Sequence, residues 1–263
     1  MNRNGRPAVL DERLRKISKE MKCYFPAELS DNRIRFFPCY GCEVVGIGST
    51  LLGKAAIGIP FNFSYQKVED IDPNDITLIG NQSTNWTKAA AQRLLNSLVL
   101  SNDAKRYALL REIYSVQSPL ILMKAVILPA VLVFAVAVGE ICARKGFRTQ
   151  KLNKLWKLYA LYASVYLVAA FKYFLICDLL QVSHDQRLEV RVIQDGDLKI
   201  IGGGVEYWEK LLQRNLAFRQ LLGPDGSSFF AKNGNQLYHL GSHRLPITER
   251  AQMLADFDKK PEL

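Results

Sequence analysis

Two apolar runs of 23 residues each, Leu120–Cys142 and Leu158–Leu180, constrain this chain more than any other feature. As a helix each would be roughly 34 Å long, enough for a hydrocarbon core of about 30 Å. The first run carries only Lys124 and Glu140, one near each end. Lys124 can snorkel to the interface. Pro119 suits a helix start, and Pro129 is tolerated in a span that packs against a neighbour. The second run is rich in tyrosine (Tyr159, Tyr162, Tyr166 and Tyr173), with Trp156 and Tyr159 placed for an interfacial aromatic belt. Lys172 and Asp178 lie toward its far end, so an antiparallel hairpin would bring Lys124 and Lys172 to the same end. The competing reading is a helical hairpin buried inside a soluble protein.

Charge separates some of the alternatives. The net charge is +10. Residues 119–182 hold 8 Lys/Arg and 2 Asp/Glu, whereas 183–263 hold 11 of each. The excess therefore brackets apolar runs instead of lining a polar face, which is a membrane pattern and not a nucleic-acid one. The connection Arg144–Lys157 has six basic residues and no acidic one. Such a loop resists translocation and belongs on the electrically negative side, cytosol or mitochondrial matrix, where it also meets anionic headgroups. Both flanking segments would then face the opposite compartment. A mean hydropathy of -0.02 excludes a chain made mostly of spans.

The flanks read as folded. The expected division is 1–118, an N-terminal region with a basic helix, a small sheet and helices; 119–182, the transmembrane hairpin; and 183–263, a soluble C-terminal region. The expected fold class is α+β and mostly helical. Residues 1–22 contain a basic helix and no apolar core, which argues against a secretory signal. Short β-like runs at 33–37, 43–47, 55–63 and 75–79 alternate with Gly and Pro. A helix is expected over 86–100. Ser101-Asn102-Asp103 caps a further one over 104–117. Gly202-Gly203-Gly204 reads as a flexible break before an amphipathic helix, Val205–Leu222. A hairpin is expected around Asn233-Gly234-Asn235, and a last helix over Pro246–Phe257.

Motifs of known chemistry are weak here. Gly48 to Lys54 has P-loop spacing, but Ala55 replaces the magnesium-binding hydroxyl and no helix start follows. Cys39 and Cys42 have redox or zinc spacing with no second pair, and His239/His243 share their stretch with Gly241. Three Asn-x-Ser/Thr sequons read as chance in a chain without a signal peptide. Leu110-Arg111-Glu112-Ile113-Tyr114-Ser115 stands where a membrane zinc peptidase would carry H-E-x-x-H. Arg111 and Ser115 replace the two histidines, and Glu206 echoes a later acidic ligand. Arg111 stays protonated and cannot bind zinc. The alternative function is thus a membrane-embedded zinc-peptidase-like protein that has lost activity.

Three stretches together resemble the Transmembrane protein 177 family. They are Ser101–Glu112, Gly203–Gly223 with Asp225-Gly226, and Leu245-Pro246-Ile247-Thr248, with weaker support from Val45-Gly46-Ile47. The resemblance covers most of residues 40–255 and involves no catalytic signature. It implies a multi-pass protein of the mitochondrial inner membrane, with loop 144–157 on the matrix side. It also implies a non-enzymatic role without cofactor or nucleic acid. That role is to stabilise newly made cytochrome c oxidase subunit II and its dedicated chaperone during early maturation, near copper-delivery factors. Members of the family typically begin with another apolar segment. This chain starts without one, so the expectation is an incomplete N-terminus or a lineage that lost it. Copper binding is not transferred to Cys39/Cys42. Candidate contact residues are Ala160, Ala163 and Ser164, with Ala169 and Ala170, for close helix approach. Trp208, Arg214 and Arg219 would either meet a partner or pack on the first region. If the two runs span a bilayer, alkaline carbonate extraction leaves the chain in the membrane pellet. Recovery in the supernatant would contradict the hairpin.

Overall fold

The computed structural model describes residues 11–24, 33–72, 76, 88–148, 155–238 and 240–258. The expected strand at 75–79, the start of the helix at 86, part of loop 144–157, and His239 lie outside or partly outside them. Helix α1 spans Glu12–Glu20, followed by a 3-10 turn, Met21–Tyr24. Strands β1 (Ile34–Cys39), β2 (Val45–Gly48) and β3 (Ala55–Pro60) follow, then α2 (Ala89–Leu98) and α3 (Asn102–Gln117). Helices α4 (Leu120–Arg148) and α5 (Leu155–Asp195) carry the two apolar runs. Helices α6 (Leu198–Leu221), α7 (Gly226–Phe229) and α8 (Ile247–Asp258) complete the order. The class is α+β and mostly helical, as expected.

The chain forms two compact units. The first contains Met1–Ser118, Asp185–Leu237 and Leu245–Leu263, so segments before and after the apolar runs share one core. The second contains Pro119–His184 and Tyr238–Arg244.

In the first unit the sheet order is β1-β3-β2, with β1 parallel and β2 antiparallel to β3. Ile34, Ile57 and Ile59 face the core, together with Tyr107, Leu109, Leu110 and Ile113 of α3. Gly46 lies against α3, where a β-carbon would collide with Glu112 and Val116. The P-loop-like stretch forms a 3-10 turn, Thr50–Leu52, leading into β3. With a strand in place of a helix N-terminus, it offers no phosphate cradle.

Helix α3 begins as the sequence indicates: the Ser101 side chain accepts from the Ala104 amide at 3.1 Å. The expected break at Gly202–Gly204 is overturned. Helix α6 runs through it, because Gly203 and Gly204 let α6 approach α3 closely. A β-carbon on Gly203 would strike the backbone of Asp103 and Ala104, and one on Gly204 the Tyr107 ring. These glycines thus act as contact surface, and packing offsets their low helix propensity. The expected hairpin near residue 234 reduces to α7 and a single bridge, Phe230 to Gln236. Asn235 and Thr248 exchange hydrogen bonds at 2.9 and 3.1 Å and fix the start of α8.

In the second unit α4 and α5 are antiparallel. Glu140 accepts from the Tyr162 hydroxyl at 2.8 Å, and Lys124 donates to Gln181 at 2.7 Å. Only 6% of the most apolar window of each helix is buried, which does not fit a hairpin enclosed in a soluble core. Helix α4 continues through Pro129. At the end away from the turn, Lys124 reaches Gln181, nine residues beyond Lys172 in α5. Asp178 keeps its carboxylate inside the second unit, accepting from the Gly241 and His243 amides at 3.0 Å each. The replacement Gly203→Ala should force α6 off α3 and cost about 1–3 kcal/mol, the usual range for overpacking. Thermal unfolding in mild detergent reads this, and an unchanged midpoint would refute the close approach.

Candidate functional site

Helix α3 presents Tyr107 and Arg111 one turn apart, α5 presents Asp185 and Glu189, α6 presents Trp208, and α8 presents Arg250. All six belong to the first unit. Arg111 donates through Nε to Glu189 Oε1 at 2.8 Å and through Nη2 to Asp185 Oδ1 at 3.0 Å. Arg250 donates to Asp185 Oδ2 at 2.6 Å and to the Leu245 carbonyl at 2.9 Å. The Leu245 amide adds a donor to Asp185 at 3.3 Å. Glu189, fully buried, also accepts from the Tyr107 hydroxyl, which in turn accepts from Trp208 Nε1 at 2.6 Å. Both guanidiniums lie over the Trp208 ring, 5.3 Å (Arg111) and 4.9 Å (Arg250) from its centroid.

Two cations face two anions, so the cluster is neutral. Burial opposes the Arg111 charge, but Glu189, Tyr107 and Asp185 outweigh it and hold its pKa above the ordinary value. Burial and the like charge of Arg111 push Arg250 down, yet an arginine so paired stays protonated. Burial, then the Glu189 charge, pushes the Tyr107 hydroxyl well up. The cluster is a set of matched charges. Its chemistry is structural: each carboxylate is covered by donors, as a charge in a dry site requires.

The degenerate peptidase positions are not assembled into a site. Arg111 is consumed by Asp185 and Glu189. Glu112 points to the Gly46 side of α3, while Glu206 accepts from the Ser101 amide at 3.0 Å, at the helix start. Eleven residues of α3 separate those two levels, about 16 Å. Among the described residues no three His, Cys, Asp or Glu side chains converge as a metal set. Cys39 and Cys42 are free thiols in different surroundings. Cys39 packs against Gly58 beside Phe37. Cys42 packs with Ile71, Leu95 and Leu98, near Arg214. Burial raises both thiol pKa values.

Of the α6 candidates, Trp208 and Arg214 are turned inward, 4% and 6% exposed. Arg214 donates to Glu43 at 2.6 Å. Arg219 donates to the Phe230 carbonyl. Trp208 and Arg214 thus pack on the first region, through Tyr107 and Glu43, whereas Arg219 packs within the C-terminal region. An apolar face that includes Trp208 is as much a core signal as a docking one, and the periodicity by itself does not distinguish them.

The hairpin candidates stay outward. Ala160, Ala163 and Ser164 are exposed on α5, and Ser164 also lines an apolar groove of about 680 Å³ between α4 and α5. The internal contact instead uses Ala135, Gly139 and Ala143, the buried residues of α4, with Tyr162 against Gly139. Small residues repeating every fourth position were the signal for that face.

Curated proteins similar to this chain share one name. Over 234 residues the chain is 30% identical to Transmembrane protein 177 of Danio rerio, covering 88% of this chain and 74% of that one. The Homo sapiens protein of the same name is 31% identical over 244 residues, covering 88% and 73%. The chain belongs to the Transmembrane protein 177 family. The Rattus norvegicus member is 29% identical and covers 95% and 79%. No family model and no solved structure matches. Membership together with the two outward-facing apolar helices makes this a membrane protein, and the buried cluster is the internal clamp of its folded unit. Replacing Arg111 with Met should leave two buried carboxylates with one guanidinium and cost about 3–5 kcal/mol. Arg111→Lys should recover only part of it, because one ammonium does not bridge both carboxylates in that geometry. Protease resistance in detergent measures both. Wild-type resistance of the Met variant would show that the cluster does not hold the unit together.

Proposed function

We propose that this chain is a non-enzymatic assembly factor of the mitochondrial inner membrane. It stabilises newly synthesised cytochrome c oxidase subunit II and the chaperone dedicated to it during early maturation, close to the copper-delivery factors. Family membership supports the reading, and the observation that carries it is the distribution of exposed groups. The ionisable side chains at the centre of the folded unit are spent on one another, whereas the hairpin offers long uncovered apolar faces and a groove. A protein built to hold a membrane client needs the second and has no use for a reaction centre.

The same reading puts loop 144–157 in the matrix, through its six basic residues, and the folded unit in the intermembrane space. Two results are expected. Disrupting the chain lowers subunit II and oxidase activity while complexes lacking that subunit keep theirs. Pulse-labelled subunit II with normal turnover in the disrupted cells would refute the role. In mitoplasts, a membrane-impermeant maleimide modifies Cys23, which is exposed, before any detergent is added. Modification only after permeabilisation would invert the topology and leave the assembly role standing on the turnover result.

A further inference from the structure

The second unit contains a short segment from far down the chain, Tyr238–Arg244. It is held on α5 inside the second apolar run. The Asp178 carboxylate accepts from the Gly241 and His243 amides at 3.0 Å each. The Gly241 backbone lies against the Phe174 ring, where a β-carbon would collide. Its φ of 88° is one that glycine adopts freely, and the chain turns there. The Tyr238 and His243 rings, 6.2 Å apart, bring the two limbs of the segment together. Leu240 and Gly241 therefore lie toward its tip.

The level of that tip follows from α5. Lys124 donates to Gln181 at the end of the hairpin away from the turn. Asp178 and Phe174 precede Gln181 by three and seven residues, about 5 and 10 Å along the axis toward the basic connection. Irregular backbone at that level is costly where its amides lose water, and Asp178 covers two of them. Phe171, Phe174 and Leu179 of the same stretch are exposed, as the lipid-facing side of a span is. Leu240 is 49% exposed and has an entirely apolar side chain. Arg244, also exposed, falls between His243, tied to Asp178, and Leu245, whose amide donates to Asp185. That is the level of Gln181. An apolar side chain inside and a guanidinium outside match the order of acyl chains and phosphates in one leaflet.

We propose that the segment Leu240–Arg244 is seated in the lipid interface, with Leu240 among the acyl chains and Arg244 on phospholipid phosphates. The surface on which it rests, α5, is itself a span, so the bilayer already reaches this level of the helix. The segment is then a third membrane contact, made long after the second run has ended. It ties the C-terminal part of the chain to the leaflet. This contact is with lipid alone and does not depend on the oxidase client.

The test uses the full chain in equimolar phosphatidylcholine and phosphatidylglycerol vesicles. A photoreactive benzophenone side chain replaces Leu240, or Leu167 as a mid-span reference that is 75% exposed on α5. Irradiation should attach lipid at both positions through acyl-chain carbons, read by mass spectrometry. In the chain labelled at 240, Arg244→Gln should lower the ratio of phosphatidylglycerol to phosphatidylcholine adducts about fivefold, the size expected of one basic residue at an anionic surface. Arg244→Lys should keep the ratio. Adducts at 167 with none at 240 would place the segment in water and overturn the proposal. So would attachment at 240 through headgroup atoms only, or capture of a second copy of the chain in place of lipid. A ratio unchanged in Arg244→Gln overturns it as well. The vesicles contain no oxidase subunit. Failure here therefore leaves the turnover experiment to judge the assembly role, and failure there leaves this result intact.

Discussion

Arg111 ties together two parts of the chain that the membrane hairpin separates. Its partners Asp185 and Glu189 lie 74 and 78 positions away, beyond both apolar helices. Arg250 completes the arrangement from the C-terminal side through Asp185. A buried ion pair is a weak source of net stability compared with apolar packing, but losing one member leaves a charge stranded in a dry core. The cluster thus acts more on uniqueness than on total stability. It admits one way of laying α3, α5, α6 and α8 together and penalises shifted alternatives. For segments 1–118 and 185 onward to share a core, the chain must also return to the side from which it left, which is the topology of an antiparallel pair of spans.

The two units place their polar groups by opposite rules. In the first, guanidiniums, carboxylates and hydroxyls are buried and matched, and glycines at 203 and 204 bring helices close enough for Trp208 to sit beneath two cations. In the second, apolar side chains face outward, and the polar ones that occur are tied at the ends or by a loop. Lys124 meets Gln181, Tyr162 meets Glu140, and Asp178 takes two backbone amides from 241 and 243.

Much of the hairpin was legible because lipid imposes constraints that a linear sequence records. Run length, the basic connection and the interfacial aromatics each follow from bilayer thickness or charge. The α3 cap was legible for a similar reason, since Ser101 satisfies an amide only three residues away. The flexible break at Gly202–Gly204 was misread because a glycine serves mobility and close packing equally well. Nothing local reveals that Asp103 and Ala104 lie opposite. Trp208 and Arg214 were ambiguous on the same ground: an aromatic and a cation on an apolar helix face suit a binding surface or an interior. The partners that decide the matter, Tyr107 and Glu43, are 101 and 171 positions distant.

The amino-acid sequence by itself determined that the chain has two membrane-length helices joined by a basic loop, that a small sheet and several amphipathic helices flank them, and that it resembles one membrane family. Those properties depend on neighbours within a turn or a strand, or on runs of composition. Tertiary structure decided that the two flanks build a single core and that Arg111 is held by Asp185 and Glu189. Each of these depends on pairing residues dozens of positions apart, where the energy comes from burial and charge matching that no local pattern encodes.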